Sequence, residues 1–463
     1  MRISALEGRR VAIWGLGREG RAALTLLRSR LPDQRITVFC STEEAATLSD
    51  QSLVVTRADA PDVEALAEFD VIIKSPGISP YNSPAPEAAA RGVRFTSGTA
   101  IWFAELQALR ARPRIAVITG SKGKSTTTAL VAHLLRAGGH RVVLAGNIGL
   151  PLLETLDDVA KAAFAIVELS SYQTGDALAP DVALLLNLYP EHLDWHGTIE
   201  TYYRDKCRLL TEAQPRVALA PLNVAEVAAR VADVAALRDL NQQAWQVRDG
   251  FIARDAQPLL ACADVPLPGE HNARNLCAAL AVIEALGVDA MPLLQAVRDF
   301  VPLPHRLQTL GWRDGIRCVN DSISTTPHAS LAALAHFRGA EVVILIGGFD
   351  RGLDWSVFVD AMRQQAPAAI IGIGPQGARI VESLRDAAIR AELVTCGDLA
   401  DAVENSRRYF ASRPVAVERV LLLSPGAPSF GAYRDYAERG RHFALLLGFD
   451  PQHTGAIQAL GLI

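Results

Sequence analysis

The stretch Thr119-Gly120-Ser121-Lys122-Gly123-Lys124-Ser125-Thr126-Thr127-Thr128 lies between an apolar run, residues 114–118, and a segment with helical spacing, residues 130–135. A β-branched apolar run, a glycine-rich turn and a helical segment predict a strand, a loop and a helix in that order. Such a loop aims backbone N–H groups and a helix N-terminus at one point, which suits a phosphate group. The stretch therefore predicts an α/β fold with a phosphate-binding loop.

Two side chains of this loop indicate its chemistry. Lys124 can reach the terminal phosphates of a nucleotide, and the hydroxyl of Ser125 can hold Mg²⁺. Gly120 stands three residues before Gly123, so the loop is shorter than the common G-x-x-x-x-G-K-[ST] form. An ordinary turn before a helix is the alternative, but Gly-Lys-Ser after a buried strand is a demanding coincidence. ATP binding is the working hypothesis.

The composition is typical of a globular protein with several domains. The chain has 463 residues, 50% of them hydrophobic, and a formal net charge of −4. This length exceeds one ordinary core and predicts two to four domains. Because there is no basic surplus, neither nucleic acid nor an anionic membrane is expected as a partner. The six cysteines form no C-x-x-C pair and residues 1–8 lack an apolar signal core, which predicts a reduced, cytoplasmic protein.

The first hundred residues open with a second glycine-rich loop. The apolar run 10–14 leads into Gly15-Leu16-Gly17-Arg18-Glu19-Gly20, a G-x-G-x-x-G match before a helical segment. This Rossmann-type opening can place a pyrophosphate on a helix N-terminus. A dehydrogenase would carry an acid at the end of the second strand, but the run 36–39 ends in Cys40-Ser41. A nucleotide other than NAD is therefore favoured, with NAD or a purely structural turn as the alternatives.

Another turn follows the apolar run 70–74 and reads Ser75-Pro76-Gly77-Ile78. Loops after strand ends face the ligand crevice of a doubly wound sheet, so this turn can contact the same ligand as loop 15–20. A Pro-Gly turn that only reverses the chain explains the four residues equally well. Both interpretations stay open on these residues alone.

The central part carries polar residues at the ends of three apolar runs. The run 142–145 is followed by a glycine and Asn147, and the run 165–167 delivers Glu168. An acid at that point can bind the Mg²⁺ of a nucleotide, although an acid at a strand end is often only a cap. The run 182–188 ends at a loop with two histidines and two acids, whose spacing does not fit a closed zinc site.

Three further polar features are ambiguous from the residues alone. His192 is an unusual ligand for Mg²⁺, which prefers oxygen. On composition, Lys206, in the helix predicted over residues 199–206, is a solvated charge. The segment 269–275 opens a helix of leucine and alanine. Its polar residues can either cap that helix or reach a base or a phosphate.

Eight motifs, in register across nearly the whole chain, resemble the Mur ligases, the ATP-dependent amide ligases of peptidoglycan precursor synthesis. They are TGSKGKSTTT at 119–128, AGNIG at 145–149, ELSSYQ at 168–173, EHLDWH at 191–196, GEHNARN at 269–275, PHR at 304–306, NDS at 320–322 and GGFDRG at 347–352. Within the family, GLGREG at 15–20, SPGI at 75–78 and LLSPGAPSF at 422–430 look most like the branch that adds glutamate to UDP-N-acetylmuramoyl-L-alanine.

The resemblance implies three α/β domains. A Rossmann-like domain over residues 1–100 would bind the UDP substrate, and a P-loop ATPase-like parallel sheet over residues 101–302 would bind ATP. A second Rossmann-like domain over residues 303–463 would bind the amino acid. Apolar runs in this last part read independently as buried parallel strands. Closure of the last domain over ATP is expected, since Arg306 and Asp321 reach the nucleotide only in a closed form.

The implied reaction activates the L-alanyl carboxylate. The carboxylate attacks the γ-phosphate of ATP to give an acyl phosphate, and the amine of glutamate then displaces phosphate through a tetrahedral intermediate. By similarity, the catalytic side chains are Lys124, His192 and Lys206, the last of them carbamylated so that it offers oxygen to a metal. Two Mg²⁺ ions are implied, and their ligands would be Ser125, Glu168, His192 and Lys206.

The resemblance also assigns residues to the two nucleotide sites. Those implied for ATP are Gly120, Ser121, Lys122, Gly123, Lys124, Ser125, Thr126, Asn275, Arg306 and Asp321. Those implied for the UDP substrate are Gly15, Leu16, Gly17, Arg18, Ser75, Pro76, Gly77, Asn147, Ser170, Gln173 and His192. The side chain that grips the uracil is not assigned, because Cys40 and Ser41 stand where an acid often sits.

The glutamate site departs from the usual pattern. Enzymes that add D-glutamate usually read NDS-K-A-T-N, whereas residues 320–326 read NDSISTT, with Ile323 in place of a lysine. This pattern resembles the variant branch that adds L-glutamate, so L-glutamate is the favoured substrate and D-glutamate the alternative. Arg351 can clamp a carboxylate in bidentate fashion. The other candidates for the glutamate site are Thr325, Ser429 and Tyr436.

Three other functions are weighed against this one. A related ligase, such as a folylpolyglutamate synthase or another Mur ligase, is one alternative, and loops 15–20 and 75–78 favour a UDP-muramoyl substrate over folate. A nucleotide-binding regulator without turnover is disfavoured because a binder needs no second metal site. An NAD-dependent oxidoreductase would require the cofactor to bind at loop 15–20. A monomer is expected, since no long amphipathic helix is left without a partner.

Overall fold

A computed structural model describes residues 1–48, 53–58, 60–148, 150–267, 269–350 and 352–451. The chain forms two compact units, residues 1–300 and the described residues from 301 onward. In both units, parallel strands alternate along the chain with helices, the arrangement expected when strands are apolar along their whole length. The predicted α/β class is confirmed. The division into domains 1–100, 101–302 and 303–463 stays a prediction.

The first sheet contains five parallel strands, β1 (Val11–Trp14), β2 (Ile36–Phe39), β3 (Val54–Arg57), β4 (Val71–Lys74) and β5 (Arg94–Thr96). Their order across the sheet is β3-β2-β1-β4-β5. The chain leaves β1 on one side and returns on the other at β4, which creates a topological switch point where ligands bind in such sheets. The helices of this region are α1 (Arg18–Arg30), α2 (Thr42–Ala46), α3 (Val63–Ala67), α4 (Ala85–Ala90) and α5 (Gly98–Gln107).

The second sheet has six parallel strands, β6 (Arg114–Thr119), β7 (Val142–Gly146), β8 (Phe164–Glu168), β9 (Val182–Leu185), β10 (Val217–Ala220) and β11 (Leu237–Asp239). Their order is β11-β10-β9-β6-β8-β7, so β6 and β8 are central. A small antiparallel sheet follows, made of β12 (Trp245–Arg248), β13 (Phe251–Arg254) and β14 (Gln257–Ala261). The helices are α6 (Lys124–Ala137), α7 (Leu156–Val159), α8 (Leu193–His196), α9 (Ile199–Thr211), α10 (Ala225–Val231) and α11 (Glu270–Ala285).

Strand β9 ends three residues before the predicted end of its apolar run, at residue 188. The chain leaves the sheet there because Asn187 contacts the phosphate loop. Its Oδ1 atom accepts from the amide of Lys122 at 2.8 Å, and its Nδ2 atom donates to the Lys122 carbonyl at 2.9 Å. A polar residue at the end of an apolar run thus fixes the neighbouring loop instead of lengthening the strand.

The second unit contains a six-stranded sheet formed by β15 (Gln308–Arg313), β16 (Ile316–Asn320), β17 (Glu341–Ile346), β18 (Ala369–Ile373), β19 (Glu392–Cys396) and β20 (Arg419–Leu423). The order is β15-β16-β20-β17-β18-β19. Only the pair β15 and β16 is antiparallel among the described strands of this sheet. The helices are α12 (Pro327–His336), α13 (Ser356–Gln364), α14 (Gly374–Asp386), α15 (Leu399–Ala411) and α16 (Tyr436–Leu446).

One continuous apolar core joins the first two sheets. Helix α5 supplies two of its largest side chains, Trp102 and Phe103, both fully buried. The indole Nε1 of Trp102 donates to Oγ1 of Thr155 at 3.1 Å, so its polar atom is paired. Short 3₁₀ helices complete the chain at Ile3–Leu6, Leu152–Thr155, Thr174–Asp176, Leu240–Gln242, Cys262–Asp264 and Met291–Asp299. Within the described ranges, none of the helices combines the length and apolar character needed to cross a bilayer.

Candidate active site

The phosphate loop, residues 120–123, connects the end of β6 to the start of α6. Gly123 has a φ of 81°, in the left-handed region that favours glycine. A Cβ atom on Gly123 would lie 2.6 Å from Oδ1 of Asn275, so the absence of a side chain lets α11 approach the loop. Nζ of Lys124 donates to the Ser121 carbonyl at 3.0 Å. Two residues implied for ATP, Asn275 and Lys124, therefore lie against the loop.

Ser121 ties the phosphate loop to the elements around it. Its hydroxyl donates to the carbonyl of Tyr189 at 2.8 Å and lies 2.7 Å from the hydroxyl of Tyr202, on α9. The next residue, Lys122, forms an ion pair with Glu191. These contacts connect the loop to α9 and to the segment after β9. A loop held in this way reorganises little when a phosphate binds.

Glu168 lies at the end of β8, beside the strand that leads into the phosphate loop. Its side chain is only 1% exposed. Oε1 accepts from Nδ2 of Asn147 at 3.0 Å, while Oε2 is buried with no hydrogen-bond partner among the described residues. A buried carboxylate oxygen without a partner carries a large desolvation cost unless a cation offsets it. The residue therefore fits a hard divalent cation, which binds carboxylate oxygen.

Lys206 lies on α9 and is 2% exposed, so the interpretation of this lysine as a solvated charge is wrong. Composition could not reveal this burial, because it depends on elements distant in the sequence. Its Nζ atom donates to the Gly120 carbonyl at 3.0 Å and lies 5.3 Å from the centre of the Tyr202 ring. Burial, reinforced by the nearby charge of Lys124, holds the pKa of Lys206 well below its ordinary value.

His192 stands at the start of α8 with a φ of 56°, a left-handed conformation uncommon for histidine. It interacts electrostatically with Lys206 and Lys124, and Lys206 does so with Glu168. Ser125, in the first turn of α6, is buried. The four implied metal ligands, Ser125, Glu168, His192 and Lys206, are thus neighbours of one loop. In the described part of the chain, no three His, Cys, Asp or Glu side chains converge as a closed metal centre requires.

The two loops implied for the UDP substrate are joined at the switch point of the first sheet. The amide of Ser75 donates to the carbonyl of Trp14 at 2.9 Å, and its hydroxyl donates to the carbonyl of Gly15 at 2.9 Å. Gly17 and Arg18, at the start of α1, are exposed. Leu16 is fully buried, so only its backbone can touch a ligand. The Pro76 carbonyl accepts from Nε1 of Trp195 at 3.0 Å.

Two of the remaining residues implied for the UDP substrate, Ser170 and Gln173, are hydrogen-bonded to each other. Oγ of Ser170 donates to Oε1 of Gln173 at 2.8 Å. Gln173 is buried, and its Nε2 atom donates to Oγ1 of Thr99 at 3.1 Å. Because the amide of Gln173 is paired on both sides, this residue orients Ser170. Ser41, near the unassigned uracil position, caps α2 by accepting from the amide of Glu44 at 3.1 Å.

Several residues close to this site went unnoticed in the sequence. Tyr81 donates from its hydroxyl to Asp205 on α9, and Asp205 also pairs with His196. Tyr81 and Asp205 are 124 positions apart, so no local motif joins them. The one available signal is that Asp205 directly precedes Lys206 in a helix that the resemblance placed at the metal site.

In the second unit, Asp321 follows β16 and is buried. Oδ2 accepts from the hydroxyls of Ser324 at 2.5 Å and Ser424 at 2.7 Å, and Oδ1 accepts from the amide of Leu307 at 3.0 Å. Burial raises the pKa of Asp321, against the effect of these donors. Arg306 interacts electrostatically with the same carboxylate. Asp321 holds three chain segments together, and its implied contact with ATP stays a prediction.

The residues predicted for glutamate have different surroundings. Thr325 and Tyr436 are exposed, while Ser429 is buried. The carbonyl of Tyr436 accepts from the hydroxyl of Ser322 at 2.8 Å, which joins α16 to the loop after β16. Arg351 lies outside the described residues.

Arg439, on α16, is a further residue that the sequence reasoning missed. Its guanidinium is buried and donates from Nη2 to the carbonyls of Ser322 at 2.8 Å and Ala427 at 3.0 Å. Nη1 is buried without a hydrogen-bond partner among the described residues. Burial lowers the pKa of Arg439 to about 10. This side chain joins the loops after β16 and β20, where two of the glutamate candidates lie.

Comparison with known proteins places these features in a family. Residues 118–283 match the model of the Mur ligase middle domain. A UDP-N-acetylmuramoyl-L-alanine–L-glutamate ligase from Xanthomonas axonopodis pv. citri (strain 306) is 54% identical over 475 residues, which covers 100% of both chains.

Solved structures share the fold at low sequence identity. UDP-N-acetylmuramate–alanine ligase from Thermotoga maritima is 17% identical, with a TM-score of 0.59 and coverage of 94% of this chain and 98% of the other. The MurF ligase of Thermotoga maritima, solved in complex with ADP, is 16% identical, with a TM-score of 0.56 and coverage of 96% of each chain. The 54% identity to a relative over the full length of both chains, together with the middle-domain match, shows that the chain belongs to the Mur ligase family of ATP-dependent ligases.

Proposed function

We propose that this ligase joins L-glutamate to UDP-N-acetylmuramoyl-L-alanine and converts ATP to ADP and phosphate. The name of the Xanthomonas relative, 54% identical over its full length, supports both substrates. The motif at residues 320–326 supports the L-isomer, because Ile323 replaces the lysine of the usual D-glutamate pattern. D-glutamate is the alternative amino acid.

The observation that carries the proposal is the unpartnered carboxylate oxygen of Glu168 beside the phosphate loop. Asn147 donates to one oxygen of this acid, and the other oxygen suits the cation that accompanies a nucleotide. Bound Mg²⁺ would neutralise charge on the phosphates and so favour transfer of the terminal one. Ser125 and Glu168 are proposed to hold this ion, and the nucleotide site itself is supported by the ADP complex of the related MurF ligase.

The chain's own residues position the phosphates and the acyl donor. Lys124 and the backbone amides in the first turn of α6 would bind the β- and γ-phosphates, because a helix N-terminus attracts an anion. Asn147 and Ser170 would orient the L-alanyl carboxylate for in-line attack on the γ-phosphate, with ADP as the leaving group. The amine of glutamate would then attack the acyl phosphate and expel phosphate, with positioning as the main contribution of the protein.

A second cation site is proposed at His192 and Lys206. Mg²⁺ prefers oxygen to nitrogen, so the proposal includes a carbamate on Lys206, which supplies oxygen. The burial of Lys206 beside the Gly120 carbonyl supports a carbamate near the phosphate loop. Only the first cation site is supported by an unpartnered acid.

We propose that each of the three large sheets belongs to a region that binds one substrate. Residues 1–100 would bind the UDP moiety, residues 101–302 ATP, and residues 303–463 glutamate. The glutamate residues proposed are Thr325, Arg351, Ser429 and Tyr436. We also infer a monomer that works in the cytoplasm on these small molecules, without nucleic acid or membrane as a partner.

Purified protein, MgATP and UDP-N-acetylmuramoyl-L-alanine, incubated with each glutamate enantiomer, test the proposal. Phosphate release is expected only when the UDP substrate and L-glutamate are both present. Phosphate release with D-glutamate and the UDP substrate, but not with L-glutamate, would show that D-glutamate is the substrate. Nucleotide binding without turnover under any combination would favour a non-catalytic regulator.

A further inference from the structure

A segment that we call the strap, residues 74–81, runs from the end of β4 across the middle region of the first unit. The Ser79 hydroxyl donates to the carbonyl of Trp195 at 2.6 Å, and the Trp195 indole donates back to the Pro76 carbonyl at 3.0 Å. Nζ of Lys74 lies 5.7 Å from the Trp195 ring and donates to the Ile78 carbonyl at 2.7 Å. The turn implied for the UDP substrate is therefore held by residues of the region that carries the phosphate loop.

The strap also reaches α9 through its last residue. The hydroxyl of Tyr81 donates to the carboxylate of Asp205, at 2.7 Å from Oδ1 and 2.8 Å from Oδ2. Nη2 of Arg204 donates to the same hydroxyl at 3.0 Å. The Tyr81 ring meets the Trp195 ring edge-on, with centroids 5.7 Å apart. A carboxylate that accepts hydrogen bonds from fixed donors holds its own helix in place.

Beyond Asp205, the hydrogen bonds continue in a chain. Nδ1 of His196 donates to Oδ2 of Asp205 at 2.8 Å, and Nε2 lies 2.9 Å from Oγ of Ser171. Serine, histidine and aspartate in this sequence of contacts match a nucleophilic triad in geometry. All three residues are at most 4% exposed, so no substrate from solvent reaches Ser171. The arrangement serves to fix positions instead of supplying a nucleophile.

Helix α9 presents a different face to the phosphate loop. Successive residues of a helix point about 100° apart, so Asp205 and Lys206 face different neighbours. Asp205 faces the strap, whereas Nζ of Lys206 donates to the Gly120 carbonyl at 3.0 Å. One turn earlier, the Tyr202 hydroxyl lies 2.7 Å from Oγ of Ser121. Anything that turns or shifts the helix at Asp205 therefore displaces Lys206 relative to the phosphate loop.

We propose that Tyr81, Asp205 and His196 are positioning residues that lock α9 to the strap and so set the place of Lys206 at the phosphate loop. The inference rests on the proposed function, in which Lys206 serves the second cation. It assigns a role to a polar network that the reaction itself does not use, in which His196 and Asp205 are buried and Tyr81 is exposed. Polar networks rigidify a buried site when every member is satisfied.

The test begins with Tyr81→Phe, which removes one hydroxyl and keeps the ring against Trp195. We expect kcat to fall about tenfold and the half-saturating Mg²⁺ concentration to rise about fivefold, with KM for ATP changed by less than about twofold. Tyr203→Phe is the matched control, because Tyr203 lies on the same helix and packs against Arg230. Both variants are expected to unfold within about 2 °C of the wild type, since each loses only one hydroxyl.

A double-mutant cycle checks that Tyr81 acts through Asp205. The double variant Tyr81→Phe/Asp205→Asn should have a kcat within about twofold of Asp205→Asn alone, because the two changes interrupt one contact. Fully additive losses would overturn the proposal. Wild-type kcat and Mg²⁺ dependence in Tyr81→Phe would overturn it as well.

Ser171→Ala tests the same network from its other end if a Tyr81 variant fails to fold. It should raise the half-saturating Mg²⁺ concentration in the same direction, because it releases the other side of His196. An unchanged Mg²⁺ dependence in a folded Ser171→Ala protein would count against the proposal. Wild-type turnover is measured first, since its absence with either glutamate enantiomer would reject the proposed function and not this network.

Discussion

Glu168 and Asp321 are both buried acids at the carboxyl ends of parallel strands, yet their carboxylate oxygens accept different numbers of hydrogen bonds. One oxygen of Glu168 accepts from Asn147, and the other has no hydrogen-bond partner among the described residues. Asp321 accepts from two serine hydroxyls and one amide. Since buried polar atoms are nearly always paired in folded proteins, Glu168 is the one of these two acids with an oxygen available to a ligand. Asp321, with hydrogen bonds to both oxygens, joins the loops that supply these donors.

Glu168→Gln gives the largest expected effect, because it removes the charge and keeps an oxygen for Asn147. The kcat for phosphate release should fall about 1000-fold, about 4 kcal/mol in transition-state free energy. The melting temperature should fall modestly, since the buried Lys206 loses the opposite charge with which it interacts. Turnover measured over a range of Mg²⁺ concentrations checks this, with the exposed Glu154→Gln as control. A glutamine variant with normal kcat would remove Glu168 from the cation site.

Lys206→Ala tests the proposed second cation site and should lower kcat about 100-fold. If a carbamate supplies oxygen there, added short carboxylates such as acetate should restore part of the activity, because they can occupy the vacated space. Phosphate release with and without acetate is the measurement, and the exposed Lys161→Ala serves as control. Full activity without acetate would exclude Lys206 from the site.

Asp321→Asn should act on stability, in contrast to Glu168→Gln. The amide keeps the shape of the carboxylate but mismatches one of the serine donors, at a cost of about 2 kcal/mol in the free energy of unfolding. Denaturant unfolding of the full chain, with the exposed Asp360→Asn as control, measures this cost. Loss of ATP binding without loss of stability would reverse the contrast and make Asp321 a nucleotide ligand.

The last prediction concerns pH and His305, which lies near this acid in the same unit. His305 contacts Asn320 Nδ2 through Nδ1 at 3.0 Å, and burial lowers its pKa to about 4. Between pH 6.5 and about 4, the unfolded chain binds a proton at this residue and the folded chain does not. Stability should therefore fall as the pH is lowered, by about 1.4 kcal/mol per pH unit from this group.

Unfolding midpoints of the wild type and of His305→Gln, measured from pH 7 to pH 4, test this linkage. The variant should lose the corresponding part of the slope, since glutamine does not titrate in this range. An identical slope in both proteins would mean that His305 is protonated in the folded state as readily as in the unfolded chain.

The sequence was informative where the chemistry is local. The phosphate loop, the loop 15–20 and the acid at the end of β8 could be predicted, because strand, turn and helix signals lie next to each other in the chain. The family motifs extended this to the ligase assignment. The burial of Lys206 could not be inferred from composition, because the Gly120 carbonyl that binds its Nζ atom lies 86 positions away.

Side-chain orientation was the other property beyond the reach of the sequence. Leu16 and Gln173 lie in the motifs implied for the UDP substrate, but one is buried in the core and the other is paired with Ser170 and Thr99. A motif gives the position of a residue in the chain. Whether its side chain faces a ligand or a neighbour is decided by packing, which depends on the whole sheet.

Trp195, on α8 and hydrogen-bonded to the strap, gives the molecule an intrinsic fluorescence reporter. Its indole is buried, stacks on Tyr172 with centroids 4.5 Å apart, and donates to the Pro76 carbonyl at the UDP turn. Indole emission shifts when this hydrogen bond or its packing changes. Ligand entry at the turn should therefore be visible as a change in fluorescence without any attached dye, and a Trp195→Phe variant identifies its share among the six tryptophans.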